Sequence, residues 1–151
     1  MIRQPAVAGQ FYSASTEQLR ADVRDRVPRD ATPTAAVAAM GPHAGLIYSG
    51  RVAGAVYGRL VLPSTVILIG PNHTGLGPMV SVFPDGHWVI PGADIPIDRE
   101  FSSDLLARFP AARADTAAHR LEHCLEVLGW TYQADRERFG QAQWLIEQVL
   151  E

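Results

Sequence analysis

The chain contains no lysine, and arginine supplies all 13 of its basic residues. Acidic residues number 16, so the formal net charge is −3, which gives no electrostatic footprint for nucleic acid. No apolar run approaches the roughly 18 residues that a membrane span requires. The sequence therefore predicts that neither nucleic acid nor a membrane is a partner.

Cysteine is almost absent as well. Cys124 is the single cysteine, so an internal disulfide is excluded and a reducing compartment fits the composition. The first residues contain Pro5 and Gly9 and lack the continuous apolar stretch of a secretory signal, so a cytoplasmic location is expected. A lone cysteine is more often an inert small hydrophobe than a metal ligand or nucleophile.

The overall composition is that of a globular protein. Apolar residues make up 47% of the 151 positions and charged residues 19%, and this length suits one domain. A glycine-rich phosphate loop, a nucleophile elbow and a CxxC pair are all missing from the sequence. These absences leave histidine and carboxylate chemistry as the main candidates.

The hydrophobic pattern predicts an alternation of helices and strands. Helices are predicted over 16–27, 51–60, 99–109 and 120–132. Strands are predicted over 35–40, 66–69, 80–83 and 88–90, and a short extended segment over 95–97. The strands over 80–83 and 88–90 are expected to pair as a hairpin. Ser49 is the predicted cap of the second helix, on which Gly50, Gly54 and Gly58 share a face suited to close packing on a sheet. Strand, helix and strand over 35–69 predict a right-handed βαβ crossover.

Two loops with the same pattern follow two of these predicted strands. His43 lies in the loop after 35–40, and His73 lies in the loop after 66–69, each within two residues of a Gly-Pro pair. Ligands in such sheets bind outside the carboxyl ends of the strands, and neutral imidazole suits iron, zinc, copper and nickel. The pattern predicts a shared metal site; the alternative is two loop histidines that only bond to backbone.

Other polar residues are candidates for supporting roles. On the predicted helix over 120–132, His123 shares a face with Glu126, and Glu122 also lies one turn from Glu126, which suits proton transfer or the orientation of a ligand. Asn72 either donates its amide to a bound oxyanion or caps its own turn. Tyr48 is either a phenolic donor near the site or a half-buried packing residue. A hydrolase using His123 as its base lacks a convincing nucleophile.

Four motifs occur in order along the chain, at Gln4–Tyr12, Pro42–Gly50, Gly70–Thr74 and Glu122–Val127. In these motifs the chain resembles the Memo-like family, protein B of the AmmeMemoRadiSam system, which is similar in fold to the LigB-type class III extradiol dioxygenases. The resemblance implies an α/β fold with three α/β/α layers around a mainly parallel sheet. It also implies a metal pocket built from His43 and His73, an iron or copper cofactor, and a position for His123 near that pocket.

The resemblance ends near residue 128. Family members are much longer, and their third metal ligand and their acid–histidine pair have no counterpart in this sequence. Residues 1–128 are therefore assigned to the N-terminal part of a Memo-like domain and residues 129–151 to a divergent tail. The fold is expected to be incomplete at its C-terminus, through truncation or a frameshift.

Two functions follow as expectations. The first is a Memo-like protein with a partial non-heme metal site and a redox or dioxygenase-like role on a small-molecule substrate that the sequence does not identify. The alternative is a non-catalytic remnant or binding module of the same fold. Its exposed sheet edge would be covered in a homodimer or by a partner chain.

Overall fold

The computed structural model describes residues 1–71 and 77–115, and the backbone of residues 124–129. The chain forms two compact units. We call the first the sheet unit; it comprises Met1, Pro63–His87 and Ile95–Glu151. We call the second the helix unit; it comprises Ile2–Leu62 and Trp88–Asp94.

The chain contains both helices and strands, so it has the mixed α/β character that its sequence predicts. The elements are β1 Ile2–Arg3, α1 Thr16–Arg26, α2 Leu46–Tyr57, β2 Thr65–Ile69, β3 Val80–Val82, β4 His87–Ile90, β5 Ala93–Pro96, α3 Arg99–Arg108, β6 Ala112–Ala114 and β7 Cys124–Gly129. Within the described ranges, no helix combines the length and the apolar character needed to cross a membrane.

Side-chain caps fix the starts of two predicted helices. The Ser15 hydroxyl accepts from the backbone N–H of Gln18 at 3.4 Å at the start of α1, and the Asp98 carboxylate accepts from the N–H of Phe101 at 3.0 Å at the start of α3. These bonds satisfy N–H groups that lack a partner inside the helix. Pro28 follows α1 and cannot continue it.

The sheet unit is built on four strands in the order β2-β7-β3-β6. β2 pairs antiparallel with β7, whereas β3 pairs parallel with both β6 and β7. Val82, Leu105 and Ala112 form the buried cluster, and Leu105 is only 1% exposed. Helix α3 thus contributes Leu105 to a core that also contains side chains of β3 and β6.

The prediction of a helix over 120–132 is wrong for the residues that the structure describes, because Cys124–Gly129 forms strand β7. The apolar positions of such a short run fit either periodicity, and tertiary pairing decides between them. Five residue pairs join β7 to β2, from Thr65 opposite Gly129 to Ile69 opposite Leu125. The rest of the predicted helix, and the divergent tail after residue 129, lie outside the described residues.

The prediction of a strand over 35–40 is also wrong. The predicted βαβ crossover, which would have placed His43 at the end of that strand, is therefore wrong as well. Only Thr34, beside this segment, forms a bridge, with Leu60. Val37 is 73% exposed and Met40 is 93% exposed. Four of the six residues are alanine, which gains little from burial because its side chain adds so little apolar area.

The predicted hairpin between 80–83 and 88–90 does not form, although both strands exist. β3 belongs to the four-stranded sheet, whereas β4 lies between β1 and β5 in a three-stranded sheet of order β1-β4-β5. The turn between β4 and β5 contains Pro91 and Gly92, and Gly92 has φ +85°, a left-handed conformation that other residues rarely adopt. The Pro91-Gly92 turn therefore replaces the predicted one.

Glycines of α2 allow close helix packing, but against α1 and not against a sheet as predicted. A Cβ atom on Gly54 would overlap the backbone carbonyl of Arg26, and one on Gly58 would contact the Val27 side chain. Gly50 faces the flexible side chain of Arg26. The contact is thus closest where backbone meets backbone, at Gly54.

We expect Gly54→Ala to lower the free energy of unfolding by about 1–3 kcal/mol, because the added methyl group has no space beside the Arg26 carbonyl. In an unhindered helix the same change would stabilise by up to about 1 kcal/mol. Urea unfolding measures the difference. Gly70→Ala is the control, since a Cβ atom added there has no other atom within 4 Å. Equal stability of wild type and Gly54→Ala would contradict the packing described above.

Candidate functional site

His43 lies in a loop that leads directly into α2, and its side chain is exposed. The backbone N–H of Leu46 donates to the carbonyl of Phe11 at 2.7 Å, which ties the start of α2 to the N-terminal arm. Ser49 was predicted to cap this helix; instead it lies inside it and donates its hydroxyl to the carbonyl of Ala44 at 2.8 Å. These two bonds fix the loop on the C-terminal side of His43.

A cavity of about 660 Å³ opens beside this loop, within the helix unit. Its walls come from the N-terminal arm, α1, the start of α2 and the turn after β4, and most of them are apolar. The polar groups among its lining residues are His43, Tyr12, Arg20, Arg24 and Ser49. The lining contains no Asp or Glu, so its formal charge is positive although the chain is acidic.

The arginines of α1 have different roles. Arg20 donates through Nη2 to the carbonyl of Gly92 at 3.2 Å, which holds α1 to the turn after β4. Arg24 lies one turn further along the cavity wall. Arg26 is structural, because its guanidinium donates to the carbonyls of Asp22 at 2.7 Å and Leu46 at 3.2 Å.

Tyr12 contributes a phenol to the cavity wall. Burial raises the pKa of Tyr12 above its ordinary value, and the nearby positive charge of Arg3 opposes this only in part. Arg3 itself is buried and stacks on Trp88, with its guanidinium carbon 4.0 Å from the ring centre. The Tyr12 hydroxyl therefore stays protonated at neutral pH and can donate a hydrogen bond.

Most of the predicted site residues lie outside the part of the chain that the structure describes. His43 borders the cavity, whereas His73, Asn72, Glu122 and His123 lie outside the described residues.

The two remaining predicted residues are described only in part or differ from expectation. Glu126 lies in strand β7, so the shared helix face predicted for Glu126 with Glu122 and His123 is wrong. Tyr48 is 85% exposed in α2, which excludes the half-buried packing role considered for it.

The described donors do not by themselves fit a resident metal ion. Among residues 1–71 and 77–115, no three His, Cys, Asp or Glu side chains are placed to hold one. His43 supplies a single imidazole, and the facial arrangement of a non-heme iron site needs three protein ligands.

The cavity itself was not predicted from the sequence. Arg20 and Arg24 are spaced by four on a predicted helix, which places them on one side of it. That spacing is also ordinary for a solvated helix face. Only the fold shows that the N-terminal arm and the turn at Gly92 border an apolar cavity beside them.

Comparison with known proteins gives consistent matches. A family model described as "Memo-like protein" matches residues 3–133. A MEMO1 family protein of Methanobrevibacter smithii is 41% identical over 142 residues, covering 84% of this chain and 50% of the relative. A MEMO1 family protein of Aquifex aeolicus is 42% identical over 130 residues, covering 83% of this chain and 47% of the relative. The chain spans about half the length of the curated relatives it matches.

The raised pKa of Tyr12 predicts a loss of stability at alkaline pH. The folded state favours the neutral phenol. The contribution of Tyr12 to stability is therefore complete below its pKa in the unfolded state, near 10, and is lost as pH rises through its pKa in the folded state. Tyr12→Phe should therefore lose less thermal stability than wild type between about pH 9 and 11. Melting temperatures across this range test it, with the exposed Tyr48→Phe as the control. A Tyr12→Phe curve that falls as steeply as the wild-type curve would refute the expectation.

Proposed function

Because the chain belongs to the Memo-like family, we propose that it is a metal-binding member in which His43 and His73 provide a partial site for iron or copper. The observation that carries the proposal is the placement of His43. It is exposed on a loop held by the Leu46–Phe11 and Ser49–Ala44 hydrogen bonds, at the wall of a cavity. A donor in such a position is accessible to a metal ion and costs little entropy to order.

The proposed site is a weak one. Two imidazoles leave most coordination positions of iron or copper to water or to donors from elsewhere. The proposed role is redox or dioxygenase-like, acting on a small molecule that reaches the site through the cavity. When bound, the metal would supply Lewis-acid or electron-transfer chemistry, and the protein would supply position and shielding from water.

Supporting roles are proposed for residues that the sequence singled out. His123 would carry protons, with Glu122, its neighbour in the sequence, as a hydrogen-bonding partner. Asn72 and Tyr48 would donate hydrogen bonds to a bound oxyanion. The exposure of Tyr48 leaves its hydroxyl accessible.

Elemental analysis tests the metal site directly. Protein purified without chelators and dialysed against Fe(II) or Cu(II) should retain metal, and His43→Ala and His73→Ala should each weaken retention by at least about tenfold, since both remove a ligand. His87→Ala, which alters an exposed histidine of β4, is the matched control. Metal retention that the first two substitutions leave unchanged would overturn the proposal.

A second candidate function is that of a non-catalytic binding module of the same fold. The observation that favours it is the apolar surface of the helix unit: Ile47 is 76% exposed and Val52 is 59% exposed on α2, and Val37 and Met40 are exposed before it. Single exposed apolar residues are normal on a surface, and the proposal rests on four large ones within residues 37–52. In the four-stranded sheet, β2 and β6 also form the edges of the described part. The proposed occupant is a second copy of the chain.

Sedimentation velocity distinguishes this candidate from the first. The wild-type chain should dimerise in a concentration-dependent manner, and Ile47→Glu and Val52→Glu should shift it to monomer, because a buried unpaired carboxylate is unfavourable in an apolar interface. Ala21→Glu, at an exposed position of α1, is the control, because it adds the same charge away from α2. A wild-type chain that stays a monodisperse monomer at high micromolar concentration would exclude the homodimer.

A further inference from the structure

We propose that the cavity of the helix unit is a binding site for a small organic monoanion, a carboxylate attached to a medium-length apolar chain. This site goes beyond the metal proposal and does not depend on it. It rests on the volume, the wall chemistry and the charge of the cavity.

The size and the walls of the cavity suit an alkyl chain. Its volume of about 660 Å³ lies within the range of about 300–1,000 Å³ that is usual for small-molecule sites. Phe11, Leu19, Val23, Leu46 and Ile90 contribute apolar surface from four separate segments of the unit. An alkyl chain placed among them would bury part of its apolar surface away from water, which is the main favourable contribution to such binding.

The charge of the cavity selects an anion. Arg20 and Arg24 line it, and no carboxylate does, in a chain whose net charge is −3. Two other arginines nearby in the fold already have carboxylate partners: Arg26 lies 3.5 Å from Asp22, and Arg51 lies 3.7 Å from Asp25. Arg20 and Arg24 are therefore the cations available to a ligand in the cavity.

The geometry of Arg20 prepares it for this role. Its Nη2 donates to the Gly92 carbonyl, so the guanidinium is held at the wall and does not have to be ordered when a ligand arrives. A guanidinium has five N–H donors, and one of them is used in this bond. The others can bind a carboxylate, and the neutral Tyr12 phenol is a further donor among the lining residues.

A single negative charge fits better than a doubly charged head group. Both arginines are exposed, so solvent screens them, and the remaining wall is mostly apolar. A phosphate would lose more hydration than two exposed guanidinium groups replace. A carboxylate has less hydration to lose and keeps the apolar chain as the larger part of the ligand.

Isothermal titration with octanoate tests the proposal, with octanol and octylammonium as probes of equal chain length. We expect saturable one-to-one binding of octanoate, weaker binding of octanol and the weakest binding of octylammonium. Arg20→Gln and Arg24→Gln should each weaken octanoate binding by about three- to tenfold, because each removes charge-assisted hydrogen bonds. Arg51→Gln should leave the affinity unchanged, since Arg51 does not line the cavity.

A substitution inside the cavity separates this site from surface attraction. Ala53→Phe places a ring where the alkyl chain would lie and should abolish binding, while circular dichroism and the melting temperature report whether the helix unit stays folded. All titrations contain EDTA, so failure of the metal proposal leaves the result unaffected. Equal affinity for octanoate and octanol, equal weakening by Arg20→Gln and Arg51→Gln, or no saturable binding would each overturn the proposal.

Discussion

The contact between α1 and α2 is the constraint on which the helix unit depends. Gly54 lets the backbone of α2 approach the carbonyl of Arg26 at the end of α1, closer than any side chain would allow. That approach places the start of α2 beside α1, where the Arg26 guanidinium reaches the Leu46 carbonyl at 3.2 Å. The cavity between the two helices and the loop that holds His43 both follow from this arrangement.

Local rules predicted the parts of the fold that local chemistry controls. Caps at Ser15 and Asp98 and the stop at Pro28 defined α1 and the start of α3, because each acts within a few residues. One local prediction failed, because Ser49 lies inside α2 and does not cap it. The other failures are non-local. Strand β7 has a helical spacing of leucines, yet pairing with β2 along five residues decides its conformation. The alanine-rich segment over 35–40 looks like a buried strand, but no local signal tells whether another strand will cover it.

The site shows the same division. The family membership that the four motifs implied is confirmed by a family model over residues 3–133 and by relatives near 40% identity. The three-layer architecture, the metal and the division at residue 128 stay predictions. Family motifs identified His43 but not the cavity beside it, because its walls come from the N-terminal arm, two helices and a turn that no sequence motif joins. A pattern within one segment cannot report on enclosed space between several.

The hydrogen bond from Leu46 to Phe11 has a thermodynamic consequence. It joins a residue of the cavity wall to the first turn of the helix that follows His43, so the two places cannot move independently. A ligand that tightens the arm around the cavity would also restrict the loop of His43, and a metal on His43 would restrict the arm. Linkage requires these effects to be reciprocal: each occupant would change the affinity of the other by the same factor.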